Sequence, residues 1–117
     1  MPYLVLLRRL LAAVAGSQAA LLLDAQGEVV VEAGLTDDRQ RLIGAYQGIA
    51  LSAATRTTSR YDIGEIQHLA CRYTWGTIIL RPLKDGYYLV VSLGPEASLG
   101  AAVFHSGLAQ EGLNAEL

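Results

Sequence analysis

The sequence predicts a mixed α/β (α+β) domain with the order α-β-β-α-β-β-β-α, its helices covering a five-stranded antiparallel sheet. Three observations predict it. Five short runs rich in apolar residues, at 19–23, 28–33, 65–73, 77–82 and 87–93, are set off by glycine, proline and aspartate turn signals. Helical periodicity marks both ends of the chain. Between the second and third runs lies an uncharged stretch too long for a strand. Strands joined by hairpins pair antiparallel, and helices must cover the sheet's faces, so the layers are α/β/α.

The first helix spans about 3–15. Leu4, Leu7, Leu11 and Val14 recur at helical spacing, Leu6 and Leu10 widen the stripe, and Arg8 and Arg9 face out. Gly16 stops it as a C-cap glycine. The run AALLL at 19–23 is too short for a helix and apolar on both faces, which suits a central strand. Asp24-Ala25-Gln26-Gly27 is a turn. Residues 28–33 then alternate, with Val29, Val31 and Ala33 on one face and Glu28 and Glu32 on the other, so this is an edge strand in a hairpin.

The long helix is predicted from about Asp37 to Thr57. Its centre, LIGAYQGIALSAAT at 42–55, carries no charge over 14 residues. Asp37 and Asp38 precede it and Arg56 and Arg60 follow, which suits the helix dipole. At about 1.5 Å per residue it runs about 21 Å. A helix with no charged face is normally buried all round, and a domain of 117 residues covers one side of it only. Gly44, Gly48 and Ser52 fall in one row at i, i+4, i+8. Each interior glycine costs about 1 kcal/mol relative to alanine. The favoured explanation is close approach of another helix; the alternative is a bulky core side chain beneath them. Tyr46, Ile49 and Ala53 lie on a neighbouring face placed to meet the sheet.

Residues 57–64 (TTSRYDIG) read as loop. Of the last three strands, 65–73 is mixed, with Gln67, His68 and Arg72 among Ile66, Leu69 and Cys71, the pattern of an edge. Asp85-Gly86 is a hairpin signal before YYLVVSL, which is apolar on both faces and central. Gly94-Pro95 breaks the chain, and Ser98 caps a last helix to about Leu113. Leu99, Val103, Phe104 and Leu108 give it an apolar face, while Gly100, Gly107 and Gly112 weaken it.

The length suits one domain, 1–117. Apolar residues make up 52% and charged ones 17%, and so low a charge implies buried area beyond a monomer's core. A net charge of −2, with eight Arg and one Lys scattered, argues against nucleic acid. Cys71 is alone, so no disulfide framework or cysteine metal site is expected, and a reducing cytoplasm is the default. The N-terminal apolar run is interrupted by Arg8 and Arg9 and follows no basic segment, which favours an amphipathic helix over a signal peptide. No run reaches the roughly 18 apolar residues of a membrane span.

No constellation for catalysis appears. His68 and His105 are far apart and lack partners at ligand spacing, Cys71 reads as a small buried residue, and no phosphate-binding glycine motif occurs. No catalytic residue, metal or cofactor is therefore expected. Trp75, in a turn before Gly76, is either a recognition anchor or packs over a neighbouring strand. Arg56 and Arg60 compensate the helix dipole, or reach a partner's acidic groups.

Two longer stretches carry a resemblance: ALLLDAQGEVVVEAG, a strand, turn and strand following a helix, and TIILRPLKDGYYLVVSLGPEASLG, a strand, D-G hairpin, apolar strand and the opening of a helix. In this order and spacing the chain resembles the roadblock domain, the family of roadblock-type dynein light chains and the bacterial gliding-motility regulator MglB. The resemblance implies a profilin-like fold with the long helix on one face of the sheet and the two terminal helices on the other. It also implies a homodimer in which long helices pair and the following edge strands join. That interface would comprise Gly44, Tyr46, Gly48, Ile49 and Ser52 with strand 66–72, through Ile66, His68, Ala70 and Arg72. Family members regulate or partner Ras-like small GTPases, or serve as scaffold and adaptor subunits. Relatives tend to carry more charge on the last helix, so here that helix is either covered by another subunit or less regular. A small-ligand sensor is the third expectation, ranked below the others because no buried polar cluster shows in the pattern.

Overall fold

In the computed structural model, which describes residues 2–117, the predicted element order holds. Helix α1 spans Pro2–Ala13, strand β1 Ser17–Leu23, β2 Val29–Gly34, helix α2 Asp38–Arg60, β3 Leu69–Tyr73, β4 Gly76–Pro82, β5 Tyr88–Leu93 and α3 Leu99–Glu116. The strands form one sheet in the order β2-β1-β5-β4-β3, every neighbouring pair antiparallel. The two strands apolar on both faces, β1 and β5, are central or next to centre, and the mixed ones, β2 and β3, are the edges.

Period-two alternation divides the core between two layers. Ala20, Leu22, Ile79, Leu89 and Val91 face α1 and α3, where Leu7, Leu10, Val14 and Leu113 join them. Leu21, Leu23, Ile78, Leu80 and Val90 face α2 and meet Leu51. The long helix thus lies on one face and the terminal helices on the other.

Local chemistry sets the element ends. Gly16 takes φ +86° after α1, and Ser17 Oγ donates to the Val14 carbonyl at 2.7 Å. In the β1–β2 turn Asp24 Oδ1 accepts from the Gln26 and Glu28 amides at 2.9 and 3.0 Å. Asp37 caps α2 by accepting from the Gln40 amide at 2.8 Å, a bond typically worth about 1 kcal/mol. Ser98 caps α3 through the Ala101 amide.

Three boundaries or faces differ from expectation. Helix α2 continues through 57–60, predicted as loop, because Thr55, Thr57 and Thr58 donate to carbonyls of the preceding turn and do not break it. Strand β3 begins at Leu69 rather than 65, since the Gln67 carbonyl bonds the Arg81 guanidinium at 3.0 Å and leaves the ladder. Helix α3 runs to Glu116 as a regular helix. Its buried residues are Ala102, Ser106, Ala109 and Leu113, whereas Leu99, Phe104 and Leu108 point to solvent. Small side chains at this spacing let α3 settle close to the sheet and α1.

One ion pair ties α2 to the edge strand. Arg41 bonds Glu32 through Nε at 2.8 Å and Nη2 at 2.6 Å, with Asp38 as a further partner. The hydrogen bond from Arg41 holds the Glu32 carboxyl below its ordinary value of 4.5. Such a carboxylate stabilises the fold above its ordinary pKa, and that contribution fades as pH falls through the lowered folded value. Arg41→Gln is therefore expected to unfold at lower urea than the parent near neutral pH, with the gap closing below pH 4.5. The pair is partly exposed, so the gap is small. A gap undiminished in acid would exclude this pair as its cause.

Candidate functional site

The uncharged centre of α2 presents two different faces. Its glycine row turns inward. Gly44 is buried over Leu23 and Val90, and a Cβ added at Gly48 would collide with the hydroxyl end of Tyr88. Tyr88 Oη uses that space to donate to the Gly44 carbonyl at 3.2 Å. Burial, aided by the charge of Asp24, pushes the Tyr88 hydroxyl above its ordinary pKa. Core side chains, Leu23 and Val90 beneath Gly44 and Tyr88 beneath Gly48, thus suffice to account for both glycines, the second of the two expected explanations.

The outward face is apolar. Leu42, Tyr46 and Ile49 are 58%, 65% and 65% exposed, and Ala53 continues the stripe at i, i+4, i+7, i+11. Tyr46, Ile49 and Ala53, expected to meet the sheet, point away from it. Ser52 is exposed beside them. Leu42 was not among the expected site residues, although the stripe's helical spacing signals it.

Strand β3 lies at the sheet's edge, one side of it unpaired within the chain. Ala70, Cys71, Arg72 and Tyr73 are all exposed, and Arg72 donates to Thr77 Oγ1 at 3.2 Å. Cys71, expected to be buried, is an exposed free thiol. Two residues expected on this strand precede it: His68 is exposed, and Ile66 is half-buried against the α2 side of the core. An unpaired edge strand offers a row of backbone donors and acceptors to another strand.

The remaining candidates are dispersed. Arg56 and Arg60 are exposed near the end of α2, with the Arg60 guanidinium 5.9 Å from the Tyr61 ring centre. Trp75 is 78% exposed in the two-residue turn between β3 and β4, so it does not pack over a strand. Among the described residues no three His, Cys, Asp or Glu side chains gather as a metal site, and no helix is long and apolar enough to cross a membrane. The surface suited to recognition is therefore the α2 stripe and the β3 edge, neither of which carries a chemical constellation.

A Roadblock/LC7 domain family model matches residues 3–93. Among solved structures, a Roadblock/LC7 domain from Streptomyces avermitilis superposes with a TM-score of 0.86 at 19% identity, covering 97% of this chain and 95% of that one. MglB from Myxococcus xanthus gives 0.85 at 16% identity, covering 97% and 93%. The gliding protein MglB from Thermus thermophilus gives 0.85 at 17%, covering 97% and 87%. At these identities the likeness is one of fold. No curated protein matches the chain in sequence.

Proposed function

This chain belongs to the Roadblock/LC7 domain family, and from that premise we propose that it is a homodimeric, non-enzymatic regulator or partner of a Ras-like small GTPase, in the manner of MglB. The observation that carries the proposal is the solvent-facing stripe of Leu42, Tyr46 and Ile49 on the uncharged central stretch of α2. Three large apolar side chains in one line are a contiguous patch, and such patches mark interaction sites. A twofold axis beside α2 would set the stripe against its own copy, doubling every contact. The unpaired β3 edges would then join into a continuous sheet, with Ala70 and Arg72 at the junction. Arg56, Arg60 and Trp75 remain outside the apolar stripe as proposed contacts for the GTPase. The exposed free thiol of Cys71 fits a reducing compartment, and the proposed location is the cytoplasm.

Sedimentation is expected to give twice the 12.5 kDa chain mass. Titration against the Ras-like GTPases of the source organism, each loaded with GDP or a non-hydrolysable GTP analogue, is expected to show binding that depends on the nucleotide. Absence of binding and of any change in hydrolysis across that set would remove the regulatory reading.

A scaffold or adaptor role is the second reading. It is favoured by the exposed Phe104 and Leu108 on α3, a patch on the opposite face of the sheet from the α2 stripe. Recovery of a stable larger complex without effect on GTP hydrolysis would favour it over the first.

A further inference from the structure

The fold creates one buried polar cluster, centred on Arg81. Because β3 starts opposite Leu80, the last two residues of β4, Arg81 and Pro82, have no strand beside them on that side. The chain at 64–67 passes instead near the last turns of α2, and a groove of about 810 Å³ opens between these segments and α3. Its apolar walls include Ile66, Phe104 and Leu108.

Arg81 lines this groove and is only 6% exposed. Its Nε donates to Ser106 Oγ at 2.9 Å, and Nη2 donates to the Val103 carbonyl at 2.6 Å. Its Nη1 donates to the Gln67 carbonyl at 3.0 Å and to Gln110 Oε1 at 3.2 Å. Every acceptor is neutral. Among the described residues the ion pairs are those of Arg41, so no carboxylate lies within ion-pair distance of Arg81. Glu65 and Glu111 line the groove, but both are exposed and neither bonds the guanidinium. A buried cation without a counter-charge is costly, and burial lowers the Arg81 pKa from its ordinary value.

Four of the guanidinium's five N–H groups are engaged, leaving one on Nη2. The longest of the four bonds is to a side-chain amide, Gln110, whose Nε2 is anchored on the Pro82 carbonyl at 2.7 Å. A carboxylate is the group that would use the free donor, supplement the neutral amide oxygen and supply the missing charge. Lys84, in the same groove, adds a second cation.

We propose that this groove is a binding site for a carboxylate carried on an apolar body, with Arg81 holding the carboxylate and Phe104 and Leu108 the apolar part. The volume lies in the range of small-ligand sites. The same chemistry is offered by a small organic acid or by a glutamate flanked by apolar residues in a protein segment. The proposal is independent of dimerisation and of any GTPase.

The test uses two pairs of probes and the whole protein, read by NMR at the Gln67 and Gly107 amides and the Arg81 side-chain N–H. One pair is 4-phenylbutyrate and 4-phenylbutanamide. The other is a capped Leu-Glu-Phe tripeptide and its Leu-Gln-Phe counterpart. Each acid is expected to bind at least about tenfold more tightly than its amide, as befits a charged hydrogen bond. A Cβ at Gly107 would stand 3.4 Å from Arg81 Nη2, so Gly107→Leu covers the guanidinium from the α3 wall of the groove without removing any of its acceptors. It is expected to keep the helical circular dichroism and lose the binding. Glu111→Gln removes a negative charge from the groove's lining and is expected to tighten binding of the acids. Binding of the small acid alone would assign the site to a metabolite, and binding of the tripeptide alone would assign it to a protein segment. No saturable shift with either acid, equal binding of acid and amide, or undiminished binding by folded Gly107→Leu would overturn the proposal.

Discussion

Replacing Ile49 with glutamate is expected to yield a folded monomer. Ile49 is 65% exposed and lies outside both core clusters. Within the chain the change is nearly neutral, within about 0.5 kcal/mol as for ordinary surface substitutions. Glutamate also favours helix slightly more than isoleucine does. Across the proposed twofold interface the same change acts twice. Each copy forfeits roughly 1.5–3 kcal/mol of apolar burial, and each brings a carboxylate into a surface that offers it no partner. The dimer's dissociation constant should therefore rise by at least about 1,000-fold, or roughly 4 kcal/mol. Sedimentation equilibrium reads the mass, and urea unfolding of the monomer reads the fold. An unchanged dimer would place the interface elsewhere and sink the stripe as its core.

Gly48→Leu should fail differently, through the protomer itself. A side chain at Gly48 meets Tyr88 Oη and, at 2.6 Å, its ring carbon Cζ. Relief requires Tyr88 to leave the core or α2 to lift off the sheet. Overpacking of this kind costs about 1–3 kcal/mol. Loss of the Tyr88–Gly44 hydrogen bond adds about 1 kcal/mol. The expected result is a drop of roughly 2–4 kcal/mol in unfolding free energy, seen as a lower urea midpoint at every protein concentration. Gly48→Ala should cost less, and less again in a Tyr88→Phe background, where the nearest atom is gone. That non-additivity is the signature of direct contact. Should Gly48→Leu keep the parent's stability and merely dissociate, the glycine row would belong to a helix pair after all.

The contrast between these two residues shows what a sequence exposes about a helix. Position 48 and position 49 sit in the same uncharged run, and absence of charge made the whole run conspicuous. Which side of the helix faces the sheet depends on its rotation about its own axis. That rotation is chosen by Tyr88, Leu23 and Val90, on strands distant in sequence. The β3 edge was legible through its mixed strand pattern, and missing charge marked the helix run as a whole. The residues alone, however, set Tyr46 and Ile49 against the sheet, and only the family resemblance put them on an interface. The inward turn of Gly44 and Gly48 was not legible. Ile66 and His68 dropped out of the strand for a comparable reason: a side chain on another strand captured the Gln67 carbonyl.

By itself the sequence determined the element order, the sheet's central and edge strands, the cap at Ser98, and the family. Period, turn chemistry and capping act over a few residues, so they can be read along the chain. Only the tertiary structure decided which face of α2 is free, which residues of α3 are buried, and that Arg81 is enclosed by neutral acceptors. Those acceptors come from positions 67, 103, 106 and 110. Hydrogen bonds and burial are properties of distance in space, and no local pattern records which remote atoms will surround an arginine that, in the sequence, interrupts an apolar strand.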